Sequence, residues 1–140
     1  MHLRIESMDQ SSAEEIASWH YDGEYAFYDF ESDQEDLTEL LDRNLRADKM
    51  FSAWNPAGEL VGFFSFNEME RGLDLGLGLR PDLTGRGMGK AFVSAGLEFA
   101  KVRFSPDVIQ LRVATFNKRA IKVYERVGFV EVEHFLNRTN

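Results

Sequence analysis

Residues 77–91 read Leu-Gly-Leu-Arg-Pro-Asp-Leu-Thr-Gly-Arg-Gly-Met-Gly-Lys-Ala. An apolar, strand-like run meets a proline turn. Glycines then stand at alternate positions, Gly85, Gly87 and Gly89, before a helical pattern begins. Glycine lets the chain turn tightly and present consecutive N–H groups. A helix start adds its partial positive charge. Together these features make a cradle for a phosphate or pyrophosphate.

Two nucleotide loops fit poorly. A Walker A loop needs a hydroxyl after its Gly-Lys pair. Here Gly89-Lys90 is followed by Ala91, and Thr84 stands where the first glycine belongs. A Rossmann loop needs G-x-G-x-x-G and an acidic residue about 20 positions on. The spacing here is G-x-G-x-G, and no acidic residue ends a second parallel strand. A tight strand-to-helix turn without a ligand stays open as the plain alternative.

Residues 108–129 read Val-Ile-Gln-Leu-Arg-Val-Ala-Thr-Phe-Asn-Lys-Arg-Ala-Ile-Lys-Val-Tyr-Glu-Arg-Val-Gly-Phe. With the loop, this stretch resembles the GNAT superfamily of acyl-CoA-dependent N-acetyltransferases. The family's loop pattern, [QR]-x-x-G-x-[GA], is matched by Thr84-Gly85-Arg86-Gly87-Met88-Gly89, with Thr84 in place of Gln or Arg. Its second motif is matched by Asn117, Ala120, Tyr124 and Gly128-Phe129.

The resemblance implies an α/β fold with a mixed, mostly antiparallel sheet flanked by helices and splayed between the fourth and fifth strands. It implies acetyl-CoA as co-substrate and transfer of its acetyl group to a primary amine by direct attack. Thr84, Gly85, Arg86, Gly87, Met88, Gly89 and Lys90 would then hold the pyrophosphate. The main chain of Leu77 and Leu79, with Asn117, would meet the pantetheine arm. Tyr124 would protonate the leaving thiolate and Asp74 would serve as base, with Glu68, Glu24 or ordered water as alternatives. For Tyr124 the helical spacing by itself favours a core role, which the family motif reverses, and for Asn117 a helix cap suffices. A degenerate domain that binds acyl-CoA or a partner without turnover is the alternative function.

At 140 residues the chain is expected to form one domain over 1–140. Its apolar fraction is 44%, with twelve Phe, enough for a sizeable core. No run reaches the roughly 18 apolar residues of a membrane span. The polar-apolar alternation of Met1 to Glu6 is expected to form a strand and not a signal peptide. Without Cys there is no disulfide, thiol nucleophile or Cys metal site. His2, His20 and His134 lack metal-ligand spacing, so no metal is expected. A cytoplasmic protein with no membrane or nucleic-acid partner is expected.

The net charge of −8 would repel nucleic acid. Arg112, Lys118, Arg119, Lys122 and Arg126 cluster after the loop, as a solvated helix face or a site for the 3′-phosphate of CoA. The acidic excess lies in residues 14–42. Tyr21, Glu24, Tyr25 and Tyr28 within it are the candidate acceptor pocket, suited to a cationic amine. They could equally be core and rim aromatics.

Alternation and turn signals predict strands over 2–6, 50–55, 59–67, 73–79, 108–115 and 129–135. Gly76 and Gly78 in the fourth suggest close approach of a backbone or ligand. Helices are predicted over 11–19, capped by Ser11 and Ser12, and after Ser32, with Leu37, Leu40, Leu41 and Leu45 on one face. Two more follow over 87–102 and 117–127, with Phe92, Ala95, Phe99 and Val102 inward on the first. The family's seventh strand inserts between its fifth and sixth, and this sequence ends near where it would begin. Either the polypeptide is shortened and that last strand is missing, or another segment or a subunit, as in a homodimer, fills its place.

Overall fold

A computed structural model describes residues 2–70 and 72–132. Five strands form one sheet in the order β1-β2-β3-β4-β5. They are β1 (Arg4–Ser7), β2 (Met50–Trp54), β3 (Leu60–Met69), β4 (Gly72–Leu79) and β5 (Ile109–Leu111). The first four are antiparallel neighbours, and β5 runs parallel to β4. The helices are α1 (Gln10–Ala17), α2 (Gln34–Leu41), α3 (Arg43–Arg46), α4 (Gly89–Phe104) and α5 (Lys118–Val127). Between α1 and α2 the chain makes two 3-10 segments, Gly23–Tyr28 and Phe30–Ser32.

The strand alternation divides the core into two layers. Ile16, Trp19 and Leu40 from the α1–α2 side pack with Met50, Leu60 and Phe63. On the other side Phe92 and Ala100 of α4 pack with Phe51, Phe64, Phe66, Leu73 and Leu75. Phe64 stacks on Phe92 with ring centroids 4.5 Å apart. Gly96 makes this approach feasible, since a Cβ there would stand 2.7 Å from Phe64 Cδ1. Each buried Phe contributes about 1.5–3 kcal/mol. Among the described residues no helix is long and apolar enough to cross a membrane.

Several boundaries differ from the sequence expectation. Asp9, not Ser11 or Ser12, caps α1 by accepting from Ser12 N–H at 2.8 Å. Asp33, not Ser32, caps α2 through Asp36 N–H, while Ser32 Oγ donates to Ala26 O. Asp42 ends α2 and its side chain caps α3. The turn this imposes carries Leu45 out of the Leu37–Leu41 face, and Leu45 is exposed. α4 starts at Gly89 and buries Phe92, Val93, Gly96 and Ala100, leaving Val102 exposed. Its face is set by the Gly96–Phe64 contact rather than by the larger side chains. Residues 129–132 form no strand, and the rest of the predicted 129–135 strand lies outside the described residues, as does His134.

Candidate functional site

β4 and β5 stay paired only over Leu73–Ile109, Asp74–Gln110 and Leu75–Leu111. Beyond Leu75 the strands part. β4 keeps β3 as partner through Leu79, so its other edge faces an open fork from Gly76 onward. The open end leads into the glycine loop.

Thr84 Oγ1 donates to Pro81 O at 2.7 Å, so its hydroxyl serves the turn. Gly85 and Gly87 adopt φ of +72° and +78°, a region that L side chains rarely enter. The first bond of α4 runs from Phe92 N–H to Met88 O. Among the described residues the N–H groups of Arg86, Gly87, Met88, Gly89 and Lys90 donate no hydrogen bond. Nothing lies within 4 Å of a Cβ built on Gly87. Free amides, open space and a helix start suit an anionic diphosphate.

α5 closes over this loop. A Cβ on Gly89 would stand 3.1 Å from Val123 Cγ2, so the glycine admits α5. Asn117 Oδ1 caps α5 through Ala120 N–H at 3.1 Å, and its Nδ2 donates to Tyr28 Oη at 3.2 Å. Gly128, φ +117°, closes the helix through bonds to Tyr124 and Glu125 carbonyls. Tyr124 is half-buried, with its ring 6.0 Å from Phe129. Burial, then the neighbouring Tyr28, pushes its phenol up to about 12. It therefore carries its proton throughout the neutral range.

The segment Gly23–Tyr28 straps the fork from above. On the β4 side Tyr21 Oη donates to Leu79 O at 2.7 Å, and Tyr21 N–H donates to Asp29 Oδ1. Burial and then Asp29 raise the Tyr21 phenol, which keeps it a donor. On the β5 side Phe116 meets Tyr25, Phe27 and Tyr28, each at 5.9 Å between centroids. Tyr28 Oη accepts from Ala114 N–H. Such ring pairs contribute about 0.5–1.5 kcal/mol each beyond burial. Arg119 lies over Tyr25, 4.5 Å from the ring centroid. A cleft of about 720 Å³ runs between strap and loop, lined by Tyr21, Glu24, Tyr25, Thr84, Arg86 and Arg119 among others.

The structure thus brings the loop, Asn117, Tyr124 and the three tyrosines to one end of the sheet. Asp74 stands apart, at the paired end of the fork, accepting from Gln110 Nε2 at 3.2 Å with Arg112 at 4.0 Å. What approaches Gly76 and Gly78 is side chains, Ser65 at the first, Phe63 and Tyr21 at the second. Phe116 and Asp29, which fix the strap, stand out little in the sequence. Their only signal was an aromatic before a helix cap and one carboxylate in an acidic run. Among the described residues no group of three His, Asp or Glu could hold a metal ion.

A family model for the acetyltransferase (GNAT) domain matches residues 2–130. Mycothiol acetyltransferase of Streptomyces coelicolor is 41% identical over 80 residues, which is 54% of this chain and 25% of that protein. The chain thus spans about a quarter of that relative's length. Spermidine N(1)-acetyltransferase of Vibrio cholerae is 24% identical over 126 residues, 86% of this chain and 69% of that one. The solved Vibrio cholerae spermidine N-acetyltransferase, in complex with CoA and spermine, superposes with a TM-score of 0.77 at 21% identity, covering 97% of this chain and 85% of that one. By its matched domain, its forked mixed sheet and its two motifs, the chain belongs to the GNAT acetyltransferase family.

Proposed function

We propose that this chain, as one domain over 1–140, is an N-acetyltransferase that uses acetyl-CoA to acetylate a primary amine. The observation that carries the reading is the fork beyond Leu75, open along β4 and ending at the unbonded amides of 86–90. Bound acetyl-CoA would supply the activated acyl group. The loop amides hold the diphosphate, and the β4 edge orients the arm through the main chain of Leu77 and Leu79. Tyr124, protonated and half-buried, gives its proton to the departing sulfur. Asn117 acts through Tyr28, whose hydroxyl it fixes. Two carboxylates compete for the base. Asp74 is tied to Gln110, and Glu24 lines the cleft.

The acceptor in this reading is cationic. Asp22, Glu24 and Tyr21 border the cleft, and carboxylates and ring faces both attract an ammonium group. The likeness to polyamine acetyltransferases supports the same class. A cytoplasmic location and a homodimer complete the reading, the latter open to sedimentation.

A second reading, a domain that binds acyl-CoA without turnover, draws on Tyr21, which already occupies the Leu79 carbonyl. An acetyl-transfer screen across amine classes, followed by thiol release, separates the two. Tyr124→Phe should lower kcat about 10²-fold or more with acetyl-CoA affinity level. No thiol release with any amine would favour the silent domain. Asp74→Asn and Glu24→Gln then identify the base as the one whose loss lowers kcat.

A further inference from the structure

Arg119 is an exposed cation that, among the described residues, meets no carboxylate and donates no hydrogen bond. Its guanidinium is nevertheless placed. Cζ lies 4.5 Å from the centroid of the Tyr25 ring. Nη1 lies 3.1 Å from where a Cβ on Gly85 would stand. Arg119 and Tyr25 line the cleft beside the glycine loop. A free arginine on a helix surface ordinarily sweeps many rotamers, and ordering it costs side-chain entropy. Here the Tyr25 ring meets part of that cost before any ligand arrives.

A guanidinium over a ring uses its face for the contact. Its planar N–H edge stays free for oxygen acceptors. At Gly85 that edge borders the loop whose amides are unbonded. The loop's own first side chain, Thr84, is turned inward onto Pro81. The side-chain contact that a Gln or Arg at position 84 could make is therefore vacated, and Arg119 is placed to make one from α5.

We propose that Tyr25 positions Arg119 to bind the pyrophosphate of the CoA donor, so that the strap Gly23–Tyr28 serves the donor site as well as the acceptor pocket. The inference rests on the acetyl-CoA reading above. It reassigns Tyr25 from acceptor recognition to donor recognition through Arg119. It also links the two ligands physically, because the strap that borders the acceptor also steadies the residue that holds the donor.

Calorimetric titration with CoA, dephospho-CoA and pantetheine tests it. Arg119→Gln should weaken CoA and dephospho-CoA alike, by roughly 10- to 150-fold for a lost charge-assisted bond. Pantetheine, without phosphates, should bind as to wild type, which also reports an intact fold. Tyr25→Leu should weaken the two nucleotides several-fold and Tyr25→Phe should restore them, because Phe keeps the ring face. Arg119→Lys should restore only part, since an ammonium lacks the planar fork. CoA binding unchanged in Arg119→Gln would overturn the proposal. A loss confined to CoA would move Arg119 to the 3′-phosphate and overturn the pyrophosphate assignment. Equal loss of pantetheine would reduce Arg119 to a structural role. If wild-type protein binds neither CoA nor acetyl-CoA, the proposed function fails first and this inference with it.

Discussion

Replacing Gly87 separates the loop's conformation from its charge. Its φ of +78° is costly for an L side chain, yet the space around its Cβ is open. The penalty of Gly87→Ala is therefore backbone strain alone, roughly 1–2 kcal/mol. If the loop holds its shape, stability bears that strain. For a chain of this length the unfolding midpoint then falls about 3 °C per kcal/mol, with CoA affinity little changed. If the loop relaxes, the midpoint holds and the amides turn away. Each lost charge-assisted bond then weakens CoA by roughly 10- to 150-fold. Gly87→Asp behaves differently. Asp tolerates the left-handed region better than Ala, so the midpoint falls less. A carboxylate about 5 Å from a diphosphate charge, at an effective dielectric of about 20, opposes it by roughly 3 kcal/mol. Asp should thus fold better than Ala and bind CoA about 100-fold worse. Thermal unfolding and calorimetry on both variants read the two effects. CoA affinity in Gly87→Asp within about threefold of wild type would refute a diphosphate at this loop.

Gly96→Ala should lower the midpoint. The helix gains up to about 1 kcal/mol, but the new methyl meets Phe64, fully buried and stacked on Phe92, and overpacking costs about 1–3 kcal/mol. A raised midpoint would mean that Phe64 yields. His20 should titrate above 6.5 by NMR, because its hydrogen bond with Asp29 favours the imidazolium. The folded value is raised, so its contribution to stability is complete below 6.5 and fades as pH rises through the folded pKa. Asp29→Asn should bring the value down, and no change would exclude the contact. Glu24→Gln should raise KM for cationic acceptors with the acetyl-CoA KM level. A preference for neutral or anionic amines would leave the acidic surface as a solubility feature.

The parts of this molecule legible in its sequence are those fixed by short-range chemistry. The hairpin between β2 and β3 turns on Asn55 and Gly58, whose bonds reach only from residue 55 to 59. α5 is bracketed by Asn117 and Gly128, each acting within five residues. The glycine loop needs only its own positive φ angles. Where two neighbours could do one job, the sequence left the choice open. Asp9 and Ser11 both make good caps, and Asp9 takes the role because the chain is still extended there, with φ −86° and ψ 172°. The fork was predicted only through the family resemblance. Residues 108–115 suit a strand throughout, yet pairing stops at Leu111. Ala114 instead gives its N–H to Tyr28, 86 residues away. Tyr21 and the two tyrosines of the strap show why such contacts escape a linear reading. One residue type, at spacings of four and three, does three jobs. Tyr21 bonds the end of β4, Tyr25 carries a cation, and Tyr28 takes an amide and a carboxamide proton. Their partners, Leu79, Arg119, Ala114 and Asn117, lie on both arms of the fork. Only once the sheet has opened does a run of aromatics in an acidic segment become the piece that spans it.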